Sequence, residues 1–144
     1  MMKKADAISL ILLFLVAIFF ISSCGQRVEH RTPDQLISYF NSKGLDVQSV
    51  FDYSESRDTK KIAQVMGGRT VDVTVEGITV MIVERKDAAS AKRYVEFESK
   101  AVPPPGLEDV KLIPHVSHNL VVLFKKKDYK SIEAQRVLMK LKAF

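Results

Sequence analysis

Thr70-Val71-Asp72-Val73-Thr74-Val75, Glu76-Gly77, Ile78-Thr79-Val80-Met81-Ile82-Val83 is the stretch on which the fold turns. Its first half alternates strictly between apolar and polar residues, the period of a half-buried strand. Glu76-Gly77 breaks the alternation for two residues and Ile78 resumes it, the pattern of a β-hairpin with a two-residue loop. Such a loop sets Val75 opposite Ile78, Val73 opposite Val80 and Val71 opposite Ile82, so one face is wholly aliphatic. The other face pairs Thr74 with Thr79, Asp72 with Met81 and Thr70 with Val83. A slip of one residue would set valines against polar side chains, so the pattern itself fixes the register.

Beyond the hairpin, Asp87 opens an alanine-rich helix over residues 88–101, and Pro103-Pro104-Pro105-Gly106 stops it. Residues 107–116 and 119–126 read as a second hairpin around Ser117-His118. Its segment Leu120 to Phe124 is continuously apolar, as in a strand covered on both faces. Ala134, Val137, Leu138 and Leu141 make the buried stripe of a last helix over 131–143. On the N-terminal side, Thr32 and Gln35 have capping-box spacing and Pro33 suits the first helical position, so a helix runs from there to Gly44. A strand over 45–53 carries Leu45, Val47, Phe51 and Tyr53 on one parity, and a short helix over 59–66 closes on Gly67-Gly68. The order α-β-α-β-β-α-β-β-α describes an α+β fold, an antiparallel-rich sheet of about five strands with helices packed on it. A ferredoxin-like arrangement is the named candidate.

The chain has 144 residues, 22 Lys+Arg against 17 Asp+Glu, and one Cys. That length suits one domain, here 32–144. One Cys excludes an internal disulfide framework and a four-thiolate zinc site within the chain. The composition fits neither a polytopic membrane protein nor a disordered tail.

The first 23 residues are a different kind of sequence. Lys3 and Lys4 precede an uninterrupted apolar run from Leu10 to Ile21, then Ser22, Ser23, Cys24 and Gly25. A basic head, a short apolar run and small residues describe an exported protein's signal peptide. Ile21-Ser22-Ser23-Cys24 resembles the lipobox of bacterial lipoproteins: a branched apolar residue, two small residues, then Cys. The resemblance covers residues 1–24. It implies cleavage before Cys24, a diacylglyceryl group on its sulfur and a further acyl chain, such as palmitate, on the new amino terminus. With Gly25 rather than Asp after the Cys, it implies the outer membrane where the source has one, and otherwise the outer face of the cell membrane. The paired strands and alanine-rich helix of the mature chain resemble those of small uncharacterised envelope lipoproteins, in pattern rather than in motif. The alternative is an uncleaved signal anchor running from Ala7 to Gly25. Removal of Lys3, Lys4 and Asp6 leaves 20 cations against 16 anions, +4. Residues 24–31 read as the lipidated Cys and a short polar tether.

No catalytic constellation is legible, and the expectation is a non-enzymatic binding or scaffolding domain; an exported enzyme of unknown class is the alternative. His115 and His118 are the only His pair, and a metal site there would need Glu108 or Asp109 as well, so they read as turn residues and no metal or other cofactor is expected beyond the lipid on Cys24. Gly67-Gly68-Arg69 reads as a helix-to-strand connection rather than an anion nest. Lys125, Lys126, Lys127 and Lys130 begin a basic C-terminal end that reads either as solvated surface or as a contact for anionic lipid. Nucleic acid is not an expected partner of an exported chain whose lysines lack interleaved aromatic residues. Met81, Val83, Val121 and Leu123 are apolar on the parity opposite the main core. The reading preferred for them is cover by one of the domain's own helices, with 33–43 as the candidate; if the helices cover only one side, they form an exposed partner-binding face for an envelope protein.

Overall fold

The computed structural model describes residues 29–144. The signal segment and Ile21, Ser22, Ser23 and Cys24 lie outside the described residues. The elements are α1 (Pro33–Ser42), β1 (Val47–Asp52), α2 (Lys60–Met66), β2 (Thr70–Val75), β3 (Ile78–Glu84), α3 (Ala88–Lys100), a 3-10 turn (Glu108–Val110), β4 (Leu112–Ser117), β5 (Leu120–Lys125) and α4 (Ile132–Lys142). This is an α+β fold with one five-stranded sheet in the order β1-β2-β3-β5-β4, every neighbouring pair antiparallel.

The central hairpin has the register its pattern dictates, from Thr70 opposite Val83 to Val75 opposite Ile78. Glu76 and Gly77 have φ of 53° and 78°, the left-handed pair whose twist suits a two-residue hairpin loop. Glu76, a non-glycine residue in this conformation, has its carboxylate engaged on both sides. It accepts the Asp46 N–H at 2.9 Å and an Arg136 guanidinium N–H at 2.6 Å. The helix starts are also local chemistry. Thr32 and Gln35 cap α1 reciprocally, Asp87 and Ser90 cap α3, and the Ser131 hydroxyl accepts the Ala134 N–H at the start of α4.

Two local expectations are corrected. A bulge at Gln48 shifts the β1 register between Val47 and Ser49. An extra residue inverts the facing of everything after it. Phe51 therefore lies opposite Asp72, on the other face from Val47, and is half exposed. In the second hairpin Ser117 pairs with Leu120, so the turn is His118-Asn119 rather than Ser117-His118.

The sheet is covered on both sides. Leu36 and Phe40 of α1 and Ala134, Val137, Leu138 and Leu141 of α4 pack on Val71, Val73, Val80, Ile82, Val122 and Phe124. On the other face, Ala91, Tyr94 and Val95 of α3, with Met66 of α2, pack on Val83, Val121 and Leu123. The unit β3-α3-β4, with β5 inserted between its strands, is a split β-α-β, the building block of a ferredoxin-like sheet. A ferredoxin-like sandwich keeps its helices on one face, however, and this domain is three layers. The cause is in the strands: Leu120 to Phe124 are all buried, and a strand apolar on both parities needs cover on both.

That layer decides between the two readings of the second apolar parity, in favour of cover by one of the domain's own helices. Val83 and Val121 are fully buried, Leu123 is 1% exposed, and Met81 is half-buried against the same cluster. The cover is α3, not the helix at 33–43, which packs on the opposite face.

Candidate functional site

The N-terminal segment meets the domain at one end of the sheet, and a buried Asn holds it there. Asn119, 1% exposed, sits in the β4–β5 turn. Its Oδ1 accepts the Arg31 N–H at 2.6 Å, and its Nδ2 donates to the carbonyls of Arg31 at 2.9 Å and Arg85 at 3.2 Å. A carboxamide can satisfy a donor and an acceptor of the same passing strand, so one side chain pins the backbone in place. His30 adds a 2.7 Å contact from Nε2 to Glu84 Oε1. The segment read as tether is therefore already docked at His30 and Arg31. The Arg31 guanidinium lies over the ring of Phe144, 5.1 Å from its centre, which brings the end of α4 to the same corner.

Beside this latch, Arg69 bridges two elements. Its Nε donates to Asp52 at 2.7 Å and its Nη1 to Asp34 at 2.6 Å. Hydrogen bonds from Arg69 to both carboxylates hold its guanidinium above its ordinary pKa. Burial pushes the Asp52 carboxyl up, but the Ser54 hydroxyl and amide together with Arg69 outweigh it and hold it below its usual range. Gly67-Gly68-Arg69 thus works as the connection expected, with its cation engaged by carboxylates. A hydrogen bond to Asp72 at 2.7 Å, with burial, pushes the Tyr53 hydroxyl up to about 12.

The two histidines go separate ways. His115 stacks on Tyr129, with Nε2 2.9 Å from the phenolic oxygen, and meets Phe124 edge-on. Burial, and secondarily the Lys142 charge, lowers its pKa. His118 sits in the turn against Ser117 and Phe144. Among the described residues, no group of three or more His, Cys, Asp and Glu could hold a metal ion, and no helix is long and apolar enough to cross a membrane.

Three surfaces remain. A shallow hollow of about 510 Å³ runs along α1, lined by Arg31, Gln35, Ser38, Tyr39 and Phe144. Phe97, Val102, Leu107 and Val110 are exposed around the proline connector. The third is basic. Lys125, Lys126, Lys127 and Lys130 are exposed. Lys125 pairs with Leu112 at the end of β5 remote from Leu120 and Asn119, so these lysines lie at the opposite end of the sheet from the latch. Residues 125–144 hold seven cations and two anions, whereas residues 29–124 hold twelve and fourteen. The positive charge of the domain is thus a property of one segment.

Sequence reasoning missed the Asn119 latch and the hollow beside Phe144. The position of Asn119 in a turn was legible; its partner 88 residues away was not. No family model, curated protein or solved structure matches the chain.

Proposed function

We propose that this chain is a lipid-anchored cell-envelope protein whose α+β domain binds or scaffolds a partner at the membrane surface without catalysis. The observation that carries the reading is Ile21-Ser22-Ser23-Cys24 at the end of the apolar run. Two or three acyl chains on one Cys give durable attachment, at about 0.8 kcal/mol per buried methylene. The domain is built to be held close to its anchor. Glu29 stands five positions after Cys24, with four residues between, a reach of about 17 Å at full extension, and on this reading the corner latched by Asn119 is the one nearest the anchor. The polar groups at that corner are engaged with one another in ion pairs and turn contacts, which suits a structural joint better than a reaction centre. Phe97, Val102, Leu107 and Val110 offer an envelope protein an exposed apolar contact.

The test is metabolic labelling with palmitate in cells making the wild-type or Cys24→Ala chain. Wild type should incorporate label and run as the mature form. Cys24→Ala should lose the label and stay unprocessed; a labelled band that survives the substitution refutes the anchor. An intact mass that retains residues 1–23 in the wild type would favour a signal anchor instead.

A further inference from the structure

The outer surface of α4 carries a feature that its role in the core does not explain. Ala134, Val137, Leu138 and Leu141 take the buried side. On the side turned away from the sheet, Ile132 is 77% exposed and Met139 66%. They are seven residues apart, two turns, and so lie on one line along the helix. Arg136 falls between them, half exposed, with its charge already given to Glu76. Lys130 precedes the line, and Lys140 and Lys142 flank its end. Among the described residues, Lys127, Lys130, Lys140 and Lys142 make no ion pair. A favourable helix dipole accounts for Lys140 and Lys142 in the last turn. It does not account for Lys127 and Lys130 at the other end, nor for two bare apolar side chains between.

An apolar line flanked by cations is the pattern of a helix lying in the interface of an anionic bilayer. Position agrees with chemistry. The far end of α4, at Phe144, touches Arg31, the residue at which the chain is latched to the domain. The reach of about 17 Å between Cys24 and Glu29 lets this end of α4, a helix about 16 Å long, come down to the bilayer surface. From an anchor at Cys24, the whole length of α4 can be laid on the same surface, including Lys127 and Lys130 at its distant start. With the domain standing on its latched end instead, those two lysines would be held away from the bilayer by the length of β5.

We infer that α4 is the membrane-apposed face of the domain, with Ile132 and Met139 entering the headgroup region and Lys127, Lys130, Lys140 and Lys142 meeting anionic lipid headgroups. The inference rests on the anchor at Cys24. It lays the domain on its side, with α3 and the exposed apolar residues around the proline connector on the opposite layer, facing the partner.

The lipidated full chain, reconstituted into vesicles, tests this. A fluorophore is placed at Met139→Cys or, on the opposite layer, at Phe97→Cys, and quenched by lipids carrying a nitroxide near the headgroup. Vesicles are phosphatidylcholine alone or with phosphatidylglycerol. Quenching at position 139 should be severalfold stronger in the anionic vesicles, and position 97 should stay unquenched in both. Each Lys→Glu change at 130 or 142 should lower the ratio of apposed to unapposed protein roughly fivefold or more, with the far-ultraviolet circular dichroism unchanged. Equal quenching at both positions, none at 139, or no dependence on lipid charge overturns the inference. So does shielding of position 139 in native membranes but not in lipid vesicles, which would assign the face to a protein partner. Flotation with vesicles separates the two readings: wild type that fails to float sinks the anchor, whereas floating protein with an unquenched position 139 sinks only the face.

Discussion

Gly68 shows how a single residue is fixed by a neighbour distant in sequence. A Cβ there would stand 1.8 Å from the Glu84 carbonyl oxygen, backbone that the Glu84 N–H to Arg69 carbonyl bond of 2.8 Å holds in place. At Gly67 the added carbon would meet only the movable end of the Arg85 side chain, at 2.6 Å, although φ of 77° is left-handed. Gly68→Ala should therefore cost about 3 kcal/mol, near the top of the usual range for overpacking, and Gly67→Ala about 1 kcal/mol, the cost of an alanine in the left-handed region. Urea unfolding of the two variants checks the order, and the reverse order would mean that backbone conformation rather than close approach governs the loop. The glycine pair was legible as a helix stop, because that signal is local. Which glycine the fold depends on was not, since the atom it would strike belongs to a strand sixteen residues on. Asn119 is the same case at the latch: its type suits a turn, but its task is set by a segment across the molecule.

At the scale of elements, the hairpin and the helix caps were legible because each is decided within a few residues. Strand β1 was not. Its apolar parity, Leu45, Val47, Phe51 and Tyr53, suggests one continuous buried face, and the bulge at Gln48 divides it. Nothing in Gln48 itself announces the bulge; it follows from joining α1 to the sheet while Glu76 holds Asp46 at both amide and carbonyl. The two sides of the bulge, Leu45 ahead of the strand and Phe51 within it, should respond differently to truncation. Leu45 is 4% exposed and packs with Leu36 and Phe40, so Leu45→Ala should cost about 2–4 kcal/mol. Phe51, half exposed and touching Tyr53 edge-on, should lose only about 1 kcal/mol on change to Thr, which keeps the strand propensity. Chemical denaturation midpoints measure both, and equal losses would restore the single-face reading.

For the molecule as a whole, the deciding question is what the second apolar face is for. The sequence showed that β3 and β5 are apolar on both parities, but helix placement depends on connection geometry that no local pattern encodes. α3 leaves β3 and returns through the proline connector to β4, which lays it over Val83, Val121 and Leu123. The two cores thus share their central strands, and a defect in one must loosen the other. Val83→Glu tests this. An unpaired carboxylate would be placed where nothing is exposed and Ala91, Tyr94 and Val95 close over it. Breaking so buried a site should cost about 4 kcal/mol or more, a large part of the 5–15 kcal/mol typical of a folded domain. Because the strands are common to both layers, circular dichroism and tyrosine fluorescence should report a single, coincident transition shifted to lower denaturant, although Tyr94 lies on one side of the sheet and Tyr39 and Tyr129 on the other. A variant that kept its stability would return Val83 to the surface; two separated transitions would mean that the layer of α3 folds apart from the rest. Either outcome would also undo the orientation inferred for α4, since that orientation needs α3 and the outward apolar residues to be rigidly opposite the bilayer.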